Sequence, residues 1–463
     1  MNPRLEFSPE RMREIGYRVV DRLVDHLTTL PDQPVGTKGD PEALRAALTE
    51  PVPEQGAEFE AVLEQLERDI LPNTMHVNHP RFFAYVPGPG NFVSAMADAL
   101  ISGYNVFAGT WISGSGPAAV ELAVIEWLRA ACGFPIGAGG LFVSGGTMAN
   151  LTALAVARHV ALGDQLDGAT VYFSDQAHSS LEKALRVVGL PSGNVRKLAC
   201  DASYRLPLRE LARAVEKDRV EGQRPFCVIA SAGTTNTGAI DQLSELSRLC
   251  KEQHLWLHVD GAYGAAAVIS HRGRELLGGL ELADSLSLDP HKWLFQPFEI
   301  GCVLVREIAH LRDTFLILPE YLKDTHQYSS EFNFTDHGLQ LTRSFRALKL
   351  WMSIKVFGMA AFRAAVERGF ELAEYTEARL RNIPGWEIVT PAQMGIVCFR
   401  YQGADDAAHL RLVQSILKDG FALITSTVLQ GRTVLRTCTI NPRTTEADIE
   451  ATLNRLDHLA RCQ

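Results

Sequence analysis

The stretch WLHVDGAYG, residues 256–264, decides how the rest of the chain is read. Trp256, Leu257 and Val259 suit a short buried strand that delivers Asp260 at its carboxyl end, where the small Gly261 and Ala262 leave room for a flat group. Similar segments recur around it: VYFS at 171–174, FCVIAS at 226–231 and SLSLD at 285–289, with helical patterns such as residues 241–253 between them. Apolar strands alternating with helices mark a mostly parallel sheet covered on both faces, so the sequence predicts an α/β fold. Ligands of such sheets gather at the carboxyl ends of the strands, where Asp260 falls.

Other strand ends carry further candidate chemistry. In LFVSGGTMANLTALAVAR, residues 141–158, a strand, a glycine pair and a helix follow one another, so the N–H groups of Gly145, Gly146 and Thr147 stand where a helix amino terminus can hold a phosphate. Alone, such a turn is more often plain structure. SDQAHSSLEKA, residues 174–184, puts His178 just after a strand, either as a helix cap or as an imidazole that stacks on a flat ring and moves protons. DSLSLDPHKW, residues 284–293, brings Lys292 to the same edge one crossover after Asp260. A lysine amine forms an imine with an aldehyde, and a carboxylate facing a pyridine nitrogen keeps it protonated so that the ring accepts electrons. Each residue alone reads more simply as a cap or a surface cation, but the ordered set points to pyridoxal 5′-phosphate held by Lys292 and Asp260.

The flanks are organised differently. Ser8 and Pro9 open a helix whose Met12, Ile15, Val19, Leu23 and Leu27 recur at three and four, and Pro31 closes it. Pro/Gly-rich breaks at 31–39 and 51–56 make residues 1–77 a set of short helices expected to pack on a neighbouring subunit. Residues 78–360 form the large domain. Residues 361–463, with EIVT, GIVCFRY, FALITS and TVLRTCTI and helical patterns at 409–418 and 445–459, read as a smaller α+β domain.

Composition narrows the function classes. In 463 residues, 45 Lys plus Arg against 54 Asp plus Glu give a formal charge of -9, which disfavours nucleic acid and anionic membranes as partners and leaves a small molecule. Eight cysteines lie far apart with no CxxC pair, arguing against a zinc or other metal site and fitting a reducing cytoplasm. The amino terminus MNPRLEFSPERMREIG lacks the apolar core of a signal peptide, and no apolar run approaches the roughly 20 residues that span a bilayer. A cytoplasmic enzyme is the expectation.

The chain resembles the group II amino acid decarboxylases, which include the aromatic L-amino acid and glutamate decarboxylases and share a type I aminotransferase-like fold. The resemblance runs through NHPRFFAYVP at 78–87, SDQAHSSLEKA, HVDGAYG, DPHKWL at 289–294, RSFRALKLW at 343–351 and LRTCTINPRTTEADIE at 435–450. It implies a seven-stranded sheet in the large domain and a homodimer with active sites at the subunit boundary, embraced by the amino-terminal helices. It also implies that Lys292 carries the cofactor as a Schiff base, Asp260 pairs with its ring nitrogen, His178 stacks on the ring and Ala262 lies beneath the other face. Gly146 and Thr147 with Asp289 and His291 match phosphate-binding positions, and Thr235 matches one near the substrate carboxylate or ring. The implied reaction is decarboxylation of an L-amino acid to its amine.

Two departures stand out. Relatives carry a tyrosine that protonates Cα in a loop before the RSFRALKLW segment, and counting back from Phe345 and Arg346 puts Phe334 there. A phenyl ring gives no proton. In relatives with phenylalanine at that place oxygen intervenes, and the products are an aldehyde, ammonia and hydrogen peroxide. Tyr328, His337 and His178 are the other candidate donors, and simple decarboxylation stands first. The second departure is the substrate pocket, read as Tyr85, Val86, Phe107 and Trp111, with Val86 where aromatic decarboxylases tend to carry a larger ring. With Phe82 and Phe83 these residues suit an aromatic substrate better than glutamate, and they suit a core equally well. An idle cofactor-binding scaffold and a transaminase are the remaining, less favoured readings.

Overall fold

A computed structural model describes residues 5–317 and 330–462. Seven strands, β1 Gly139–Val143, β2 Ala169–Ser174, β3 Val195–Leu198, β4 Arg224–Ser231, β5 Trp256–Asp260, β6 Ser285–Leu288 and β7 Gly301–Val305, form one sheet in the order β1-β7-β6-β5-β4-β2-β3. From β6 to β3 all neighbours are parallel, while β7 runs antiparallel to both β6 and β1. The carboxyl ends of β1, β2, β4, β5 and β6 therefore emerge at one edge, together with the amino end of β7.

Burial explains the apolar runs. Every residue of β1, β2, β6 and β7 is buried, as expected of strands covered on both faces. The helix Gly146–Leu162 lies across β4 to β7. The helices Leu208–Val220 and Leu243–Glu252 bury Leu211, Val215, Leu243 and Leu246 in the main core.

The smaller sheet is antiparallel, with β8 Trp386–Gln393, β9 Ile396–Tyr401, β10 Thr425–Leu429 and β11 Arg432–Cys438 in the order β10-β11-β9-β8. Its helices Asp406–Asp419 and Glu446–Arg461 bury Leu412, Ile416, Ile449 and Leu453 against it. The strand expected at 421–426 begins only at Thr425. Residues before it are used elsewhere: Leu423 donates its N–H to Arg81 O and accepts from Phe83 N, tying this domain to the start of the large one. The helix Ala347–Asn382 spans the expected boundary at 360 and bends at Gly358, whose φ of 75° is a conformation glycine adopts without a Cβ penalty.

The amino-terminal helix Pro9–Thr29 is capped by Ser8, whose side chain accepts from Arg11 N. It buries none of its residues, and Met12, Val19 and Leu23 are 52%, 37% and 37% exposed. Its charged face is tied to the helical stretch at 59–70 by Arg11–Glu60 and Arg22–Glu67 ion pairs. Among the described residues no helix is long and apolar enough to cross a membrane.

Candidate active site

At the shared strand edge a cavity of about 420 Å³ collects residues from five connections. Gly146 and Thr147 come from the turn after β1, His178 from beyond β2, Thr235 from beyond β4, Asp260 and Ala262 from β5, and Asp289, His291 and Lys292 from beyond β6. All nine residues expected around a cofactor thus line one space. Asn150, Ser180, Ser231, Tyr263 and Glu299 line it too, none of them anticipated from sequence.

The carboxylate of Asp260 is held from three directions. Asn150 Nδ2 donates to its Oδ2 at 3.0 Å, while Ser287 Oγ and Ala262 N donate to Oδ1 at 3.1 and 3.2 Å. Lys292 Nζ lies 3.0 Å from Oδ2 of Asp289, the residue expected at the phosphate. His291 Nε2 is 3.6 Å from the same oxygen, and its Nδ1 accepts from Ile300 N at 3.3 Å. Burial pushes the pKa of His291 down against the opposing pull of Asp289. His178 is treated alike: burial lowers its pKa despite Asp260, and its Nδ1 accepts from Ser180 N.

Close packing at the glycine turn is part of the cradle. A Cβ on Gly146 would stand 2.8 Å from Asp289 Oδ2 and 3.0 Å from Ala262 Cβ, and one on Gly301 would meet Gly145 Cα at 2.5 Å. Only glycines let β7 and the turn after β1 approach so closely. Backbone N–H groups at the start of the 17-residue helix Gly146–Leu162 attract an anion. An amine, a fixed carboxylate and a helix amino terminus in one cavity are the donor set for an aldehyde, a ring nitrogen and a phosphate. Asp289 Oδ1 is buried and has no partner among the described residues, so the floor of the cavity still offers an acceptor.

A profile of the pyridoxal-dependent decarboxylase conserved domain matches residues 41–402. The chain belongs to that family. It is 47% identical to an aromatic-L-amino-acid decarboxylase of Bacillus atrophaeus, over 99% of this chain and 98% of that protein. It superposes with a TM-score of 0.93 on the Oryza sativa TDC structure solved with PLP and tryptamine, at 27% identity, covering 98% and 99% of the two chains. The Rhodiola rosea 4-hydroxyphenylacetaldehyde synthase superposes at 0.92 with 26% identity and the same coverage. The cofactor is accordingly pyridoxal phosphate, and the donor set described above fits it.

Not every expected residue of this decarboxylase reaches the cavity. Phe334, expected on the loop, is fully buried in a short 3-10 turn Phe334–His337, edge-on to Phe332 and 4.7 Å from the Arg343 guanidinium. It packs with Leu141, Val143 and Val303 because the segment's Phe332 and Phe334 both serve the core at the β1 edge. His337 is buried as well, stacked on Phe332 with Nδ1 facing Asn333 O. Tyr328 lies outside the described residues. Of the expected substrate residues none lines the cavity of its own chain: Tyr85 is 63% exposed, Val86 packs on the main core, Phe107 packs against Gly109, and Trp111 joins the cluster around Phe334.

Proposed function

We propose that this pyridoxal-dependent decarboxylase acts on an aromatic L-amino acid and releases the amine and carbon dioxide. The observation that carries the reading is the convergence of Lys292 and Asp260 on one cavity beside a helix amino terminus. Similarity to the Bacillus atrophaeus protein named for aromatic amino acids supports the substrate class.

Bound there, pyridoxal phosphate supplies a protonated pyridine ring that accepts the electron pair of the Cα–carboxylate bond. Lys292 would carry it through its Nζ, an amine that the Asp289 carboxylate positions at 3.0 Å. Asp260, fixed by Asn150, Ser287 and the Ala262 N–H, holds the proton on the ring nitrogen. Gly146 and Thr147 with Asp289 and His291 would hold the phosphate, Ala262 would leave space under one face of the ring and His178 would cover the other. Thr235 lies on the substrate side. With Nδ1 of His178 committed to Ser180, its Nε2 holds a proton and is the candidate donor to Cα within this chain, alongside Tyr328.

The aldehyde-forming reading rested on Phe334, and a fully buried packing residue gives it little support. Likeness to the Rhodiola rosea synthase keeps it as the alternative to be assayed. We further propose a homodimer, supported by the exposed Met12, Val19 and Leu23 stripe on a helix that buries none of its residues. Eight free thiols support a cytoplasmic location. The divisions at 77 and 360 are retained as the proposed domain plan.

The deciding experiment measures carbon dioxide, amine, aldehyde and peroxide from tryptophan, tyrosine, phenylalanine and glutamate, under air and under nitrogen. Amine with stoichiometric carbon dioxide from an aromatic substrate is the expected result. Aldehyde and peroxide under air as main products overturn the reading in favour of the alternative, and glutamate as best substrate overturns the substrate class.

A further inference from the structure

Residues 258 and 260 point to the same face of β5, and the helix Gly146–Leu162 crosses that face, so Asn150 on its first turns meets both side chains. Asn150 is 1% exposed and His258 fully buried, and neither belongs to the set that sequence reading singled out.

The hydrogen-bond directions around Asn150 are forced. A carboxylate only accepts, so the amide end facing Asp260 Oδ2 at 3.0 Å is the NH2 group, whose second hydrogen goes to Ser180 Oγ at 3.1 Å. The amide oxygen then faces His258 Nε2 at 3.0 Å, which must carry the proton. His258 Nδ1 is consequently the acceptor, taking the hydroxyl hydrogen of Ser285 at 2.9 Å, and Ser285 Oγ in turn accepts from the indole N–H of Trp256, a group that only donates. On the other branch Ser180 presents its backbone N–H at 3.2 Å and its hydroxyl at 2.8 Å to His178 Nδ1, leaving the proton of that ring on Nε2. Burial pushes the pKa of both imidazoles down, which disfavours a second ring proton on either.

We propose that Asn150 is a positioning residue of the cofactor pocket: a single amide fixes the proton position of His258 while holding the Asp260 carboxylate as an acceptor. A fully buried histidine behind the cavity is thereby tied to the carboxylate that lines it. The effect on cofactor affinity rests on the proposed role of Asp260 at the ring nitrogen. The proton position does not.

The test uses histidine-15N-labelled full-length holoenzyme, with nitrogen shifts reporting which ring nitrogens bear hydrogen. His258 is expected as the Nε2–H form near neutral pH, and an Nδ1–H form overturns the proposal. Asn150→Asp sets a second carboxylate against Asp260 and is expected to raise the dissociation constant of pyridoxal phosphate roughly ten- to a hundredfold, the range for losing a hydrogen bond to a charged group, and to perturb the His258 nitrogen shifts. His258→Gln, which keeps a donor for the Asn150 oxygen, is expected to retain affinity that His258→Leu loses. Unchanged affinity in both Asn150→Asp and His258→Leu overturns the proposal. Wild-type protein that never holds cofactor would instead sink the underlying assignment, whatever the nitrogen shifts say.

Discussion

Neutralising Glu121 tests how the glycine turn is held in register. Glu121 and Arg343 form an ion pair at 2.6 Å with side-chain exposures of 0% and 1%. Glu121 Oε1 also accepts from Phe142 N at 2.9 Å, and Arg343 donates to Phe142 O at 2.8 Å and Ala108 O at 3.0 Å. Since β1 is an edge strand, the pair caps both backbone groups of Phe142, just before the Ser144–Gly145–Gly146 turn that lines the cavity. Glu121→Gln keeps the shape and leaves the guanidinium buried without a counter-charge. Breaking a buried pair from one side costs about 3–5 kcal/mol, against a typical total of roughly 5–15 kcal/mol. Urea unfolding of the cofactor-loaded protein, followed by tryptophan fluorescence, reads the loss. The double variant Glu121→Met with Arg343→Met is expected to cost less than the sum of the single changes, though not nothing, because the Phe142 N–H and C=O lose their partners. A loss below about 1 kcal/mol in Glu121→Gln, the range of exposed pairs, would refute the claim that this pair is structural.

Gly146→Ala places a methyl 2.8 Å from Asp289 Oδ2, already engaged by Lys292, so overpacking of about 1–3 kcal/mol is expected to lower the melting temperature and to weaken cofactor binding; thermal melts and equilibrium dialysis check it. Phe334→Tyr adds a hydroxyl to a fully buried ring and is expected to lower the melting temperature while leaving the amine-to-aldehyde ratio unchanged; a shift of products toward amine would return Phe334 to the chemistry. Lys292→Ala is expected to abolish both the borohydride-stable attachment of cofactor and turnover, and retention of either contradicts the assignment. Acid is expected to destabilise the fold. His79 and His258, both held down to about 4, bind protons more readily unfolded, so their contribution is complete above about 6.5 and is lost as pH falls toward 4. Buried Asp241, raised to about 6, acts in the opposite sense between about 6 and 3.8. Asp98 and Asp284, also raised by burial, act with Asp241, and unfolding midpoints that rise from pH 6.5 to 4.5 would show that the buried acids outweigh the histidines.

What the sequence disclosed and what it hid follow one physical division. Asp260, Lys292, His178 and the glycine turn each follow a strand that reads as an apolar run, and a parallel sheet delivers its strand ends to one edge, so local pattern and global geometry agree. β7 brings Glu299 to the same edge from its amino end, an antiparallel reversal that no local pattern announces. The strand expected at 421–424 has the right composition, yet its backbone is bound to residues 81 and 83, a pairing across the two domains that only tertiary structure decides. Phe334 is a related case: its place was counted along the chain, and in the fold it packs against Leu141 and Val143. The aromatic residues at 85, 107 and 111 illustrate the limit of composition, since apolar rings suit a pocket, a core and a subunit contact alike.

Asn150 belongs to a further class, because it carries no chemistry of its own and sits inside a helix where an asparagine is unremarkable. Its importance comes from three partners on β5 and the connection after β2, each fixed in place by the sheet. A site of this kind is therefore read from sequence in the order of decreasing chemical distinctiveness: the lysine and carboxylate first, the glycines next, the positioning amide last. The same order predicts the consequences of substitution. Loss of Lys292 removes the reaction, loss of a glycine's space loosens the cofactor, and loss of Asn150 leaves every reacting group present with the Asp260 carboxylate less firmly held.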